Sequence, residues 1–162
     1  MYLGVWPSDR FHAWNLLTNE WAFNYVYKRL KFLDNKLVSR FLTLAFLALW
    51  HGYHSGFYIY FAMQFVIMAA EIDMRDFIAK TGLQRKLNNK ISTLAVSGIG
   101  WILTSIVCSQ SILTFALRQH FHLYYPILKS CEFLGITLPM TWFLVRHLLE
   151  ISLFRRSAQI PN

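Results

Sequence analysis

Between Phe41 and Ala70 the chain runs thirty residues without an Asp, Glu, Lys or Arg. A single α-helix of that length would measure roughly 45 Å at 1.5 Å per residue, well beyond the ~30 Å hydrocarbon core of a bilayer. The stretch is therefore expected to be tilted, broken, or both. Its weak point is "HGYHSG" at 51–56, with two glycines and a serine. Non-helical backbone at membrane depth is tolerated only where it is buried in protein or faces a wet cavity. The sequence thus predicts a cavity near His51.

Composition agrees with a membrane setting. Of the residues, 56% are hydrophobic, 17% aromatic and only 15% charged, against about 25% charged in a soluble domain. The apolar residues gather into long runs, which favours spans over a globular core. A net charge of +8 is read against that background, as basic residues flanking spans and facing anionic headgroups. A nucleic-acid partner is not expected, because the aromatics lie in the apolar runs rather than between the basic residues. Cys108 and Cys131 show no zinc spacing and read as buried free thiols. The first residues, "MYLGVWPSDRFHAWNLL", lack the basic-then-apolar order of a signal peptide.

The organisation expected is all-α, a polytopic transmembrane protein with about three to four membrane helices plus an interfacial amphipathic helix. Residues 1–36 form the first unit: an irregular lead-in to about residue 13, then a helix from about Asn19 through "NEWAFNYVYKRLKFL". There aromatics mix with Lys28, Arg29 and Lys31, a composition suited to the headgroup level. "DNK" at 34–36 reads as a turn. Residues 37–72 are a broken membrane helix carrying the histidines. A polar linker at 71–90 holds Arg75, Lys80, Arg85, Lys86 and Lys90, and by the positive-inside tendency it is cytoplasmic. Spans follow at 91–119 and 123–154, with an interfacial turn at 118–126 between them and Arg155-Arg156 after the last. Gly98 and Gly100 are expected to permit close helix packing.

His51 and His54 are spaced i, i+3 and would share a face on a continuous helix. Two readings stand for them. Ionisable groups inside spans default to a functional role, whereas a neutral histidine can also serve a backbone carbonyl freed by the break. His-x-x-His can bind metal, but no acidic or thiol partner lies nearby and no metal is expected. In "AWNLLTNEW", Asn15, Thr18 and Asn19 lie between Trp14 and Trp21, and Thr18 or Asn19 reads most simply as a helix N-cap.

Three elements taken together are more specific: Thr18-Asn19-Glu20-Trp21, the Lys28–Leu33 run "KRLKFL", and the Ala48–Phe57 run "ALWHGYHSGF". This sequence resembles the membrane-bound O-acyltransferase (MBOAT) family, in particular its lysophospholipid acyltransferases of the lysophosphatidylcholine branch. Residues 1–162 resemble the C-terminal third of that fold, and whether this length acts alone is left open. The resemblance implies His51, after Trp50, as the catalytic base. It implies Asn15, four residues before Asn19, as its partner, although the family's Asn follows Phe where Trp14 stands here. Trp50, His54, Ser55 and Asn19 are supporting positions.

The implied reaction moves a fatty acyl group from acyl-CoA to the free hydroxyl of a lysophospholipid in the endoplasmic reticulum membrane. Acyl-CoA is co-substrate and no cofactor is needed. Choline is the nearest headgroup by resemblance, with ethanolamine and serine next. Two other classes stay open: an inactive lipid-binding membrane protein, and an O-acyltransferase acting on a protein or sterol hydroxyl.

Overall fold

The computed structural model describes residues 6–82 and 90–157. Among them are seven α-helices, one 3-10 turn and no strand, so the all-α expectation holds. In chain order these are α1 (Pro7–Trp14), α2 (Leu16–Tyr25), the 3-10 turn (Tyr27–Leu33), α3 (Lys36–His51), α4 (Ser55–Thr81), α5 (Lys90–Ala116), α6 (Phe121–Ser130) and α7 (Leu134–Ser157).

α4 and the Val96–Ala116 part of α5 are long and apolar enough to cross a membrane. α6 and α7 make a third candidate crossing, bent by 46° at its break. The chain is thus an integral membrane protein by its helices. The 123–154 region, expected as one span, is divided because Glu132 and Phe133 both take a left-handed backbone with φ 51°. Pro139 lies inside α7 and does not end it.

α4 is the hub, packed against α3, α5 and α7. Phe41 meets Phe65 while His51 meets Phe57, so α3 and α4 run antiparallel. Met63 abuts Gly135 and Asp73 pairs with Arg146, so α4 and α7 run parallel. The core joins Leu44 and Leu47 of α3 with Phe61, Met63 and Ile67 of α4 and Val107 of α5. Outward positions stay apolar too, for example Leu94, Ile99, Leu144 and Leu148. That is the pattern for a bundle solvated by lipid tails.

Several local expectations change. Pro7–Trp14 is helical rather than irregular. Proline suits the first turn of a helix, and the Ser8 N–H, which has no acceptor within the helix, donates to the Glu71 carboxylate at 2.8 Å. Ser8 Oγ donates to the same carboxylate at 2.6 Å. The helix expected from Asn19 starts at Leu16 and gives way at Val26 to the 3-10 turn. Asp34 then takes φ 51° and Asn35 caps α3, accepting from the N–H groups of Leu37 and Val38 at 3.0 and 3.2 Å. The "DNK" turn is therefore present.

Most of the expected 71–90 linker is helix instead. α4 continues to Thr81 because its charges are used in contacts. Glu71 pairs with Arg75 at 2.7 Å, Asp73 pairs with Arg146, and Trp142 Nε1 donates to Asp73 at 2.9 Å. Arg85 and Lys86 of that linker lie outside the described residues. Gly98 faces open space rather than a neighbouring helix, and Gly100 lines a groove. Cys108 is buried as expected, but Cys131, at the end of α6, is exposed.

Candidate functional site

The charge-free stretch breaks where its glycines allow. α3 ends at His51, and Gly52 adopts φ 111° with ψ −176°, a conformation that L-residues with a Cβ rarely reach. α4 begins at Ser55 with His54 as its N-cap. The expected break is present, and it separates His51 from His54, so the face they would share on a continuous helix is not formed.

Contacts from the far side of the bundle hold the break. Gly56 lies directly against the backbone of Thr114 and Arg118, and its N–H donates to the Arg118 carbonyl at 3.3 Å. Ser55 Oγ and the Tyr124 hydroxyl share a hydrogen bond of 2.7 Å, with Tyr124 fully buried. The Gln119 amide meets His54 Nε2 at 3.2 Å. His54 is exposed and Trp50 is exposed, while His51 is half-buried.

His51 is walled by aromatic rings. Its ring centroid lies 4.9 Å from Trp50, 5.1 Å from Phe57, 5.6 Å from Phe61 and 5.2 Å from Phe115. The rings hold the imidazole by packing, and it stays half-buried. Among the described residues no hydrogen bond to its ring nitrogens fixes the tautomer.

The two asparagines lie apart from this wall. Asn15 is the N-cap of α2, where its Oδ1 accepts the Thr18 N–H at 3.4 Å. The cap expected at Thr18 or Asn19 is thus supplied by Asn15, whose Nδ2 has no partner among the described residues. Asn19 donates through Nδ2 to the Phe11 carbonyl at 2.7 Å and ties α2 to α1. No contact joins Asn15 to His51. The link between the two regions is Trp21 of α2, which stacks on Trp50 with centroids 6.3 Å apart.

Beside this region a cavity of about 1050 Å³ opens between α1, α2, α3 and α4, with Asn19, Arg40, Leu47 and Gln64 in its wall. Neither His51 nor the rings around it lie in its wall, so this is not the cavity expected at the break. Sequence reasoning passed over Gln64 and Tyr124. Gln64 carried a readable signal, since it is the one carboxamide in the charge-free stretch. Tyr124 carried none, because its partner Ser55 is 69 residues away.

Comparison with known proteins bears on this arrangement. The model of the MBOAT, membrane-bound O-acyltransferase family, matches residues 8–113. The chain is similar to lysophospholipid acyltransferase 5 of Drosophila melanogaster, 38% identical over 108 residues, covering 59% of this chain and 22% of that protein. Lysophospholipid acyltransferase 5 of Rattus norvegicus is 54% identical over 59 residues, 36% of this chain and 12% of its own length. The Caenorhabditis elegans protein of the same name is 30% identical over 151 residues, 93% of this chain and 31% of that protein. The chain thus spans less than a third of the length of the curated relatives it matches. With the family match covering well over half of its residues, the chain belongs to the membrane-bound O-acyltransferase family.

Proposed function

We propose that this chain carries the catalytic histidine of an acyl-CoA:lysophospholipid O-acyltransferase that remodels phospholipids in the endoplasmic reticulum membrane. The observation that carries the reading is His51: a half-buried imidazole at the end of a broken membrane helix, packed by four aromatic rings. Family membership and the names of the relatives support the reaction class.

A hydroxyl is a weak nucleophile at neutral pH. Neutral His51 takes its proton as the oxygen attacks the thioester carbonyl carbon. The new C–O bond forms, the C–S bond breaks, and the proton passes from the imidazolium to the departing CoA sulfur. No covalent acyl-enzyme is needed, so Cys108 and Cys131 have no part. Asn15, which makes no contact with His51 in the structure, is assigned to the step as a donor to the thioester oxygen, through an amide nitrogen unpartnered among the described residues. An uncharged donor does this without the desolvation cost of a charge. Trp50, His54, Ser55 and Asn19 shape the surroundings. The substrates are acyl-CoA and a lysophospholipid, both lipid-borne, and no cofactor takes part.

The test uses the natural gene product that contains this sequence, in microsomes supplied with labelled acyl-CoA and lysophospholipid. His51→Ala is expected to lower turnover by at least the ~10²–10⁴-fold typical of a general base, at unchanged protein level. Turnover near wild type in that variant would remove His51 from the chemistry.

A further inference from the structure

α4 starts without a cap of its own. His54, the residue before it, makes no side-chain capping bond, although the first N–H groups of a helix need acceptors from outside it. Partners come instead from residues 118–124, which join α5 to α6. The Arg118 carbonyl accepts the Gly56 N–H at 3.3 Å, the Gln119 amide meets His54 Nε2 at 3.2 Å, and the Tyr124 hydroxyl meets Ser55 Oγ at 2.7 Å. His54, Ser55 and Gly56, consecutive in the chain, are thus held by one distant corner.

Tyr124 is the firmest member of that corner. Gln119 and His54 are both exposed side chains, and the Arg118 contact is long. Tyr124 is fully buried, with its ring edge-on to Phe121 at 5.4 Å, so its hydroxyl has a fixed place. A buried hydroxyl is costly unless hydrogen-bonded, and Ser55 is the partner it has.

This bond bears on the setting of His51. Ser55 opens α4, and Phe57 and Phe61 follow it, one turn apart on one face. Both rings pack on His51, at 5.1 and 5.6 Å, and Phe57 also meets Phe115 at 5.1 Å. Packing holds the imidazole, so a slip of the first turn of α4 moves two of the four rings that place it. A general base must lie within hydrogen-bond reach of the proton it takes, and such a slip therefore slows the chemical step rather than binding. We propose that Tyr124 is a positioning residue: its hydroxyl, through Ser55, locks the first turn of α4 and keeps His51 aligned with the reacting hydroxyl. The inference rests on the reaction proposed above and adds a residue that acts on His51 only through others.

The test places Tyr124→Phe, Ser55→Ala and the double variant in the natural gene product containing this sequence. Rates are referred to folded protein, and kcat and KM are measured for acyl-CoA and lysophospholipid. Tyr124→Phe keeps the buried ring, so protein level and melting are expected to stay close to wild type. Its kcat is expected to fall roughly 10–10²-fold, the scale on which a misplacement near 1 Å acts, with both KM values unchanged. Ser55→Ala should match it. The double variant should be no slower than either single, because all three lack the same bond. Hydrogen exchange at the Gly56 and Phe57 amides should quicken in each. An unchanged kcat, a loss carried by KM, a loss that only follows the folded fraction, or losses that multiply in the double variant would each overturn the proposal. His51→Ala is measured beside them. If that variant turns over like wild type, the reaction proposed above fails, and the exchange at Gly56 and Phe57 then decides by itself whether Tyr124 locks the break, so the two failures are distinguishable.

Discussion

Asn15 has one job in the structure and a second in the proposed reaction, and a simple deletion would confuse the two. Its Oδ1 caps α2 through the Thr18 N–H, and its Nδ2 has no partner among the described residues. Removing a capping side chain costs about 0.5–2 kcal/mol, so Asn15→Ala disturbs the fold as well as the amide donor. Asn15→Asp separates the roles, because a carboxylate still caps but cannot donate. This variant is expected to reach wild-type protein levels while turnover falls on the order of 10²–10³-fold, as for loss of a single oxyanion donor. Microsomal turnover normalised to protein level measures it, and wild-type turnover would leave Asn15 as a cap only. The sequence singles out His51 because the motif around it is dense and local. The cap was not legible in it, since the start of α2 depends on α1 being helical, and α1 is met at its first turn by Glu71, 63 residues away.

At the scale of elements, the helix break was the most readable feature and the charged end of α4 the least. A charge-free run too long for a bilayer and interrupted by two glycines predicts a break whatever else surrounds it. Residues 71–82 look like a polar linker in one dimension. Their partners Ser8, Trp142 and Arg146 lie far off in sequence, so only the folded chain reveals why they stay helical. The glycines were likewise misjudged: Gly98 meets nothing, while Gly56 is the one pressed onto another helix end. A methyl group at Gly56 would collide with backbone atoms of Thr114 and Arg118, and backbone cannot swing aside as a side chain tip does. Gly56→Ala is therefore expected to destabilise by about 1–3 kcal/mol, the usual range for overpacking. Thermal unfolding in detergent reads it, with Gly98→Ala as the neutral control. Equal melting of the two variants would contradict the close approach.

For the whole molecule, the parallel course of α4 and α7 puts their C-terminal ends on one side of the bundle. A paired ionic layer marks that side, with Glu71 tied to Ser8 and Arg75 and Asp73 tied to Arg146. From Ser55 to Ala70, between the break and this layer, α4 has sixteen uncharged residues, a rise of roughly 24 Å. That is shorter than the ~30 Å of an average hydrocarbon core and closer to the ~27 Å of the endoplasmic reticulum bilayer. Charges held in place by partners on two other helices cannot easily slide inward to meet a thick membrane, so the lipid has to yield. Reconstituted in phosphatidylcholines of increasing chain length, the protein is expected to be most heat-stable in the short-chain bilayers and to lose stability steadily as the chains lengthen; a flat profile would dismiss the idea. An ionic layer fixed in this way is expected to act as a gauge of the thickness of the membrane around it.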